Sequence, residues 1–319
     1  MLTRMTRILT RTDLLGLLNP SDCIEVLREG FAASVQGSLP GQRVRTDLPF
    51  PGTATALLPG LLPGIDAYTV KVNAKFPGAV PSLRGVTCLH SGKDGELLAL
   101  IDSATVTAWR TGLAAALATD LIARPAGDGA RTVGVIGAGA QAELTIRGLR
   151  TLRSWDRLVV HDIDALRAAA FAQRHVGTVA STPAEVAAAA DVVVLATWSR
   201  EPLLYLEDLR PGQHLTALGA DEPGKQEVAP EVLLSARLIV DDAALVVTHG
   251  ALANAGLSSS TAAASLGEVI RGEAPARSNS REITAYAPVG LPWQDLALSW
   301  LAFQQAEAAG MGATVDLLS

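Results

Sequence analysis

The chain has 319 residues and a formal net charge of −6, a length that favours two domains over one core and an acidic balance that argues against a nucleic-acid footprint. Hydrophobic residues make up 49% of it and aromatics only 4%, the alanine, leucine and valine economy of helices packed on a parallel sheet. No stretch has the uninterrupted apolar length of a membrane span, and Cys23 and Cys88, far apart and in no metal spacing, read as small hydrophobes in a reducing, cytoplasmic setting.

The basic start through Arg7 reads as a solvated strand, because no apolar signal core follows it. Residues 1–115 read as strands and hairpins. Alternation puts Tyr68, Val70 and Val72 on one face of a strand and Thr69, Lys71 and Asn73 on the other, polar face. Residues 85–90 and 97–101 flank Ser91-Gly-Lys-Asp-Gly95 as a hairpin. Arg110 falls on a helix beside Thr107 and Thr111, and Arg124-Pro-Ala-Gly-Asp-Gly129 is the clearest hinge-like linker.

The next segment carries the strongest motif. Thr132-Val-Gly-Val-Ile-Gly137-Ala138-Gly139-Ala140-Gln141-Ala142 reads as a buried strand, a glycine turn and a helix, the pattern of a dinucleotide-binding turn. Gly137 permits the tight turn, Gly139 lets backbone approach a pyrophosphate, and Ala142 lets helix pack on sheet. A second strand, 157–161, ends in Asp162, about 20 residues on, where an acid holds a ribose 2′-hydroxyl. With no arginine immediately after Asp162, NAD is expected over NADP. From residue 120 onward apolar runs alternate with helical ones. Thr182-Pro-Ala-Glu185 starts a helix, and residues 192–196, 214–218 and 237–240 are further strands. After Leu291 comes a long apolar helix with Leu296, Trp300 and Phe303, in which Asp295 reads as a structural or capping acid. The whole reads as a Rossmann-type doubly wound α/β domain, 116–290, with a smaller α+β domain from residues 1–115 and 291–319.

Four segments in order give the chain a resemblance to the ornithine cyclodeaminase/mu-crystallin family: Tyr68-Thr-Val-Lys71-Val-Asn73, Gly95 to Asp102 leading to Thr107-Ala-Trp-Arg110-Thr111-Gly112, the Gly137 turn with Gln141, and Gly219-Ala-Asp221-Glu-Pro223-Gly224-Lys225. The resemblance implies a homodimer whose substrate domain is built from both chain ends. It also implies NAD(P)-dependent hydride transfer at a carbon bearing nitrogen and a carboxylate.

It further implies that Arg110 binds the substrate carboxylate, that Arg45 binds the substrate, that Lys71 contacts the carboxylate or assists proton steps, and that Asp221 exchanges the proton on the substrate nitrogen. Arg43 stands two residues before Arg45 and competes for its place. Gly137, Ala138, Gly139, Ala140, Gln141, Asp162, Thr111, Thr197, Gly219 and Val289 are the expected cofactor contacts. The roles suit the chemistry of the residues themselves, since a planar guanidinium holds a carboxylate bidentately and a carboxyl group at a strand end exchanges protons.

One position departs from the diamine-processing members. Residues 55–59 read Thr-Ala-Leu-Leu-Pro, so Ala56 stands where they carry a glutamate for the distal amine, and an ammonium buried without a counter-charge costs several kcal/mol. The expected activity is therefore reduction of a small α-imino acid or oxidation of the amino acid: a ketimine or pyrroline-2-carboxylate reductase, or an alanine dehydrogenase. Ornithine cyclodeamination is the alternative within the same machinery, and a crystallin-like binding protein without turnover is the alternative outside it.

Overall fold

The computed structural model describes residues 5–34, 42–76, 78–79 and 81–317. The chain divides into two compact units, one of Met1–Arg110 with Leu291–Ser319 and one of Thr111–Gly290. The strands are β1 (Thr6–Leu9), β2 (Gln42–Asp47), β3 (Thr53–Gly60), β4 (Ala67–Lys75), β5 (Leu83–Ser91), β6 (Leu97–Asp102), β7 (Thr132–Ile136), β8 (Arg157–His161), β9 (Thr178–Val179), β10 (Val192–Leu195), β11 (His214–Ala217), β12 (Arg237–Val240), β13 (Ala262–Ser265), β14 (Thr284–Tyr286) and β15 (Ala313–Val315).

The contiguous unit holds an eight-stranded sheet in the order β13-β12-β14-β11-β10-β7-β8-β9, and its strand pairs are all parallel. From β7 the chain builds outward through β8 and β9, then returns to β10 on β7's other side and continues the opposite way. That reversal leaves a switch point at the carboxyl ends of β7 and β10, where open α/β sheets bind ligands. The central strands β7 and β10 are buried at every position, as in a parallel sheet covered on both faces. The helix Pro183–Ala189 begins as its sequence dictates, with the Thr182 hydroxyl accepting from Glu185 N at 3.1 Å. The Glu185 carboxylate reaches one residue further back than a capping box, to Ser181 N at 2.8 Å.

The other unit is α+β and built from both chain ends. Its mixed sheet runs β15-β1-β6-β5-β4-β3-β2, and β1 pairs with β15 antiparallel, Thr6 opposite Val315. The helices Pro20–Ala33 and Pro292–Ala309 pack together through a close contact: a Cβ at Gly30 would lie 2.2 Å from the Trp293 ring, so only glycine admits that ring beside Phe31.

The 124–129 segment, expected as a hinge-like linker, contains a short 3-10 turn inside the contiguous unit, tied by Arg124 Nε donating to Gly212 O at 3.1 Å. The two units meet in sequence between Arg110 and Thr111, inside the helix Ser103–Ile122. On β4, the face written in polar residues is the buried one. Thr69 and Lys71 are 2% and 1% exposed, whereas Val72 is 47% exposed. Among the described residues no helix is long and apolar enough to cross a membrane. Cys23 is buried as expected and Cys88 half-buried.

Candidate active site

The nucleotide turn has the geometry its glycines require. Gly137 adopts φ +91°, a left-handed conformation that a side chain disfavours, and a Cβ there would sit 2.6 Å from Ala196 O. Gly139 caps the helix Ala140–Leu152 with no side-chain hydrogen bond, and a Cβ built on it meets no atom within 4 Å. Backbone N–H groups at a helix start, with open room beside Gly139, fit a pyrophosphate. Gln141 O and Leu144 lie against Gly112, where a Cβ would come within 2.8 and 2.6 Å of them, so the first turn of this helix is braced by its neighbour.

Asp162 is buried and does more than await a ribose. Its Oδ2 accepts from Ala138 N at 2.8 Å, and its Oδ1 accepts from Asp164 N at 2.9 Å. It thus locks the glycine turn to the end of β8. Arg167 is absent from the positions directly after Asp162, but the first turn of the following helix brings its guanidinium within 3.3 Å of Oδ1. The adenosine end of the turn therefore carries a cation that strand-end inspection does not reveal.

A second group of expected residues gathers in the α+β unit. Lys71 Nζ donates to Asp295 Oδ2 at 2.7 Å and to Thr107 Oγ1 at 3.3 Å. Arg110 Nε stands 3.7 Å from Asp295 Oδ1, and its NH1 donates to Gln294 Oε1 at 3.3 Å. Burial pushes the Lys71 ammonium down to about 8; Asp295 opposes that fall, and the positive charges of Arg110 and Arg43 add to it. Among the described residues, Arg110 Nε, Asp295 Oδ1 and Thr87 Oγ1 are buried without a hydrogen-bond partner. Thr87 lies directly across the sheet from Lys71. The cluster holds two cations against one carboxylate, with polar atoms still unpaired.

Arg45 and Ala56 come out differently from their expected places. The row across the sheet through Lys71 contains Leu57 and Arg43, while Arg45 lies opposite Thr55 and binds Asp47 at 2.9 Å. Of the two, Arg43 is the one whose charge, beside that of Arg110, acts on Lys71. Ala56 pairs with Val72 and Val44, which puts it on the face opposite Lys71. Opposed strand residues share a face, so a one-position offset moves a side chain across the sheet. The missing glutamate at 56 therefore says nothing about the charge around Lys71 in this chain.

In the contiguous unit, Asp221 follows β11 on a loop with Glu222, Pro223 and Gly224. Lys225 Nζ donates to Asp221 Oδ1 at 3.0 Å and lies 3.5 Å from Glu222 Oε2. Thr197 and Gly219, at the ends of β10 and β11, are joined by Glu227. Its Oε1 accepts from Thr197 N and Oγ1 at 2.6 and 2.8 Å, and its Oε2 from Gly219 N at 2.6 Å. Burial raises the Glu227 carboxyl to about 7, against those donors and with help from Asp221. Val289 N and Gly290 N donate to the buried Asp241 at 3.0 and 2.6 Å. Thr111 carries a buried hydroxyl without a partner among the described residues.

Sequence reasoning gave no site role to Asp295, Gln294, Thr87 or Glu227. A signal existed for Asp295, since an acid in the first turn of so apolar a helix needs a partner. Nothing in the sequence marked Thr87 or Glu227.

A model of the ornithine cyclodeaminase/mu-crystallin family matches residues 4–310. The alanine dehydrogenase of Archaeoglobus fulgidus is 30% identical over 322 residues, which cover 97% of this chain and 98% of that protein. An archaeal alanine dehydrogenase dimer with bound NAD has a TM-score of 0.90 at 27% identity, over 98% of this chain and 100% of the other. The Δ1-pyrroline-2-carboxylate reductase of Thermococcus litoralis, in complex with NADH and L-proline, has a TM-score of 0.90 at 26% identity, over 97% and 100%.

Proposed function

The chain belongs to the ornithine cyclodeaminase/mu-crystallin family, and from that membership we propose that it is an imino acid reductase, converting a small α-imino acid to the amino acid with NADH as reductant. The observation that carries this reading is the buried surplus of positive charge at Lys71, Arg110 and Asp295. Two buried cations on one carboxylate leave an uncompensated charge, which is costly unless an anion completes it. A substrate carboxylate is that anion, and the unpaired Arg110 Nε offers it a charge-assisted hydrogen bond. The same surplus disfavours a second ammonium on the substrate, so monoamino acids fit better than diamines.

When bound, the cofactor supplies the hydride that adds to the imine carbon. The nucleotide turn would hold the pyrophosphate by Gly137, Ala138, Gly139, Ala140 and Gln141, and Asp162, which fixes the turn, would accept from the ribose 2′-hydroxyl. Lys71 and Arg110 orient the carboxylate, and Asp221 exchanges the proton on the substrate nitrogen. Lys225 holds the Asp221 carboxylate through Oδ1. A second copy of the chain is the natural cover for the outward face of β2, β3 and β4, where Val44 is 55% and Val72 47% exposed. Both related structures bind NAD or NADH, and one is described as a dimer.

The test is NADH oxidation with pyrroline-2-carboxylate, piperideine-2-carboxylate and pyruvate plus ammonia, beside NAD-supported release of proline and ammonia from ornithine. Turnover of a cyclic or simple imino acid is expected. Robust proline formation from ornithine with no reduction of the imino acids would overturn the reading.

A further inference from the structure

The loop that carries Asp221 is wrapped around one amide. Asn254, on the short helix Ala251–Ala255, donates from Nδ2 to Ala220 O at 3.2 Å, to Glu222 O at 2.9 Å and to Lys225 O at 2.8 Å. Its Oδ1 accepts from Gly224 N at 3.1 Å. One side chain thus meets four backbone groups of a six-residue turn. Within that turn Gly224 holds a left-handed φ of +73°, Pro223 has no N–H to give, and Lys225 N donates to Glu222 O at 3.3 Å. The start of the loop is fixed separately by Glu227 at Gly219 N. Lys225, which follows Gly224, carries the ammonium bound to Asp221.

We propose that Asn254 is a positioning residue for the proton-exchanging Asp221, setting the shape of the 220–225 turn and with it the placement of the Asp221 carboxylate and of the Lys225 ammonium beside it. This rests on the role assigned to Asp221 above. The chemistry selects asparagine over its isostere. An aspartate keeps the shape and the bond from Gly224 N, but it turns a negative oxygen toward three carbonyl oxygens and loses every donor. Misplacement of a reacting group by about 1 Å costs roughly a hundredfold in rate, so the effect belongs in kcat and its pH profile rather than in cofactor binding.

The experiment measures kcat, KM, the pH profile of kcat and the NADH dissociation constant for Asn254→Ala, Asn254→Asp, Asp221→Asn and the double variant Asn254→Ala/Asp221→Asn in the full-length protein. The expected result is a fall in kcat of about a hundredfold for Asn254→Ala, with NADH affinity within about twofold of the parent. Asn254→Asp should be at least as impaired despite its shape, and Asn254→Ala should cause no further loss once Asp221 is asparagine. Parental kcat in both Asn254 variants, or an equal loss in the presence and absence of Asp221, overturns the inference while leaving Asp221 in its role. Loss of NADH binding in both Asn254 variants also overturns it, since the residue then supports the unit as a whole. Near-parental turnover by Asp221→Asn overturns the Asp221 assignment itself, and the positioning role with it.

Discussion

Replacing Asp295 by asparagine removes the one carboxylate of the Lys71 cluster while keeping its shape. Lys71 Nζ lies 2.7 Å from Asp295, and at an effective dielectric of ~20 that contact supports the ammonium by ~6 kcal/mol. The Lys71 ammonium is already down at about 8, and one pKa unit corresponds to only ~1.4 kcal/mol. Loss of the carboxylate therefore far outweighs the margin that keeps Lys71 protonated at neutral pH, and the variant should hold a neutral amine. A charge-assisted hydrogen bond contributes ~1.5–3 kcal/mol, so affinity for a substrate carboxylate should weaken by roughly 10- to 100-fold.

The assay is inhibition by pyrrole-2-carboxylate, whose charge does not change near neutrality, measured from pH 6 to 10. The folded-state value for Lys71 lies below its ordinary one, so the ammonium is present below about 8 and is lost above it. In the parent protein, inhibition should therefore weaken above about pH 8. In Asp295→Asn it should be weak throughout, with no inflection there and with NADH affinity retained. Inhibition within about threefold of the parent's, with the same inflection, would refute the charge argument.

Asp221→Asn should lower kcat by roughly 10²–10⁴-fold with NADH affinity unchanged, and turnover within a few-fold of the parent would assign the proton to another group, Lys71 first. NADH should give a higher kcat/KM than NADPH because the Asp162 carboxylate repels a 2′-phosphate; Arg167 softens that repulsion, so Arg167→Gln should widen the preference, and an NADPH preference in the parent would refute the assignment. His214 is buried between Thr284 and Thr216 hydroxyls at 2.9 and 3.0 Å, and burial holds it well below its ordinary range. The unfolded chain then binds the extra proton, so His214 costs stability progressively as pH falls below about 6.5. Glu227, raised to about 7, acts in the opposite sense between about 4.5 and 7. Thermal melts from pH 7 to 5 should drop less in His214→Gln than in the parent, and parallel curves would refute the His214 reading.

The nucleotide turn was legible in the sequence because its physics is local: a strand, two glycines and a helix start lie within about a dozen residues. The Lys71 cluster was legible only in half. Lys71 and Arg110 stand in recognisable motifs, but their carboxylate comes from 224 positions beyond Lys71, and no periodicity links the two. Alternation on β4 gave the right two faces but not which of them is buried, because lettering tells polar from apolar and not which face a helix covers. Ala56 failed for a related reason. Register decides faces, and a linear motif carries no register. Asn254 carries no signal at all, since a single amide in a short helix becomes meaningful only when a turn is folded round it.

The pairing of β1 with β15 has a consequence for how the protein is made. The nucleotide unit, Thr111–Gly290, is continuous and contains all of its own sheet, so its core needs no strand from either chain end. The other unit waits: β15, which pairs with β1, and the carboxylate of Asp295 arrive some 300 and 224 residues after their partners, as the Thr6 to Val315 pairing and the Lys71 to Asp295 contact record. Until then Lys71 cannot be buried as a cation, and closing so long a loop is the slow, high-contact-order step of assembly. Carboxylate recognition thus depends on one of the longest closures in the chain, whereas the nucleotide fold depends on none of that span.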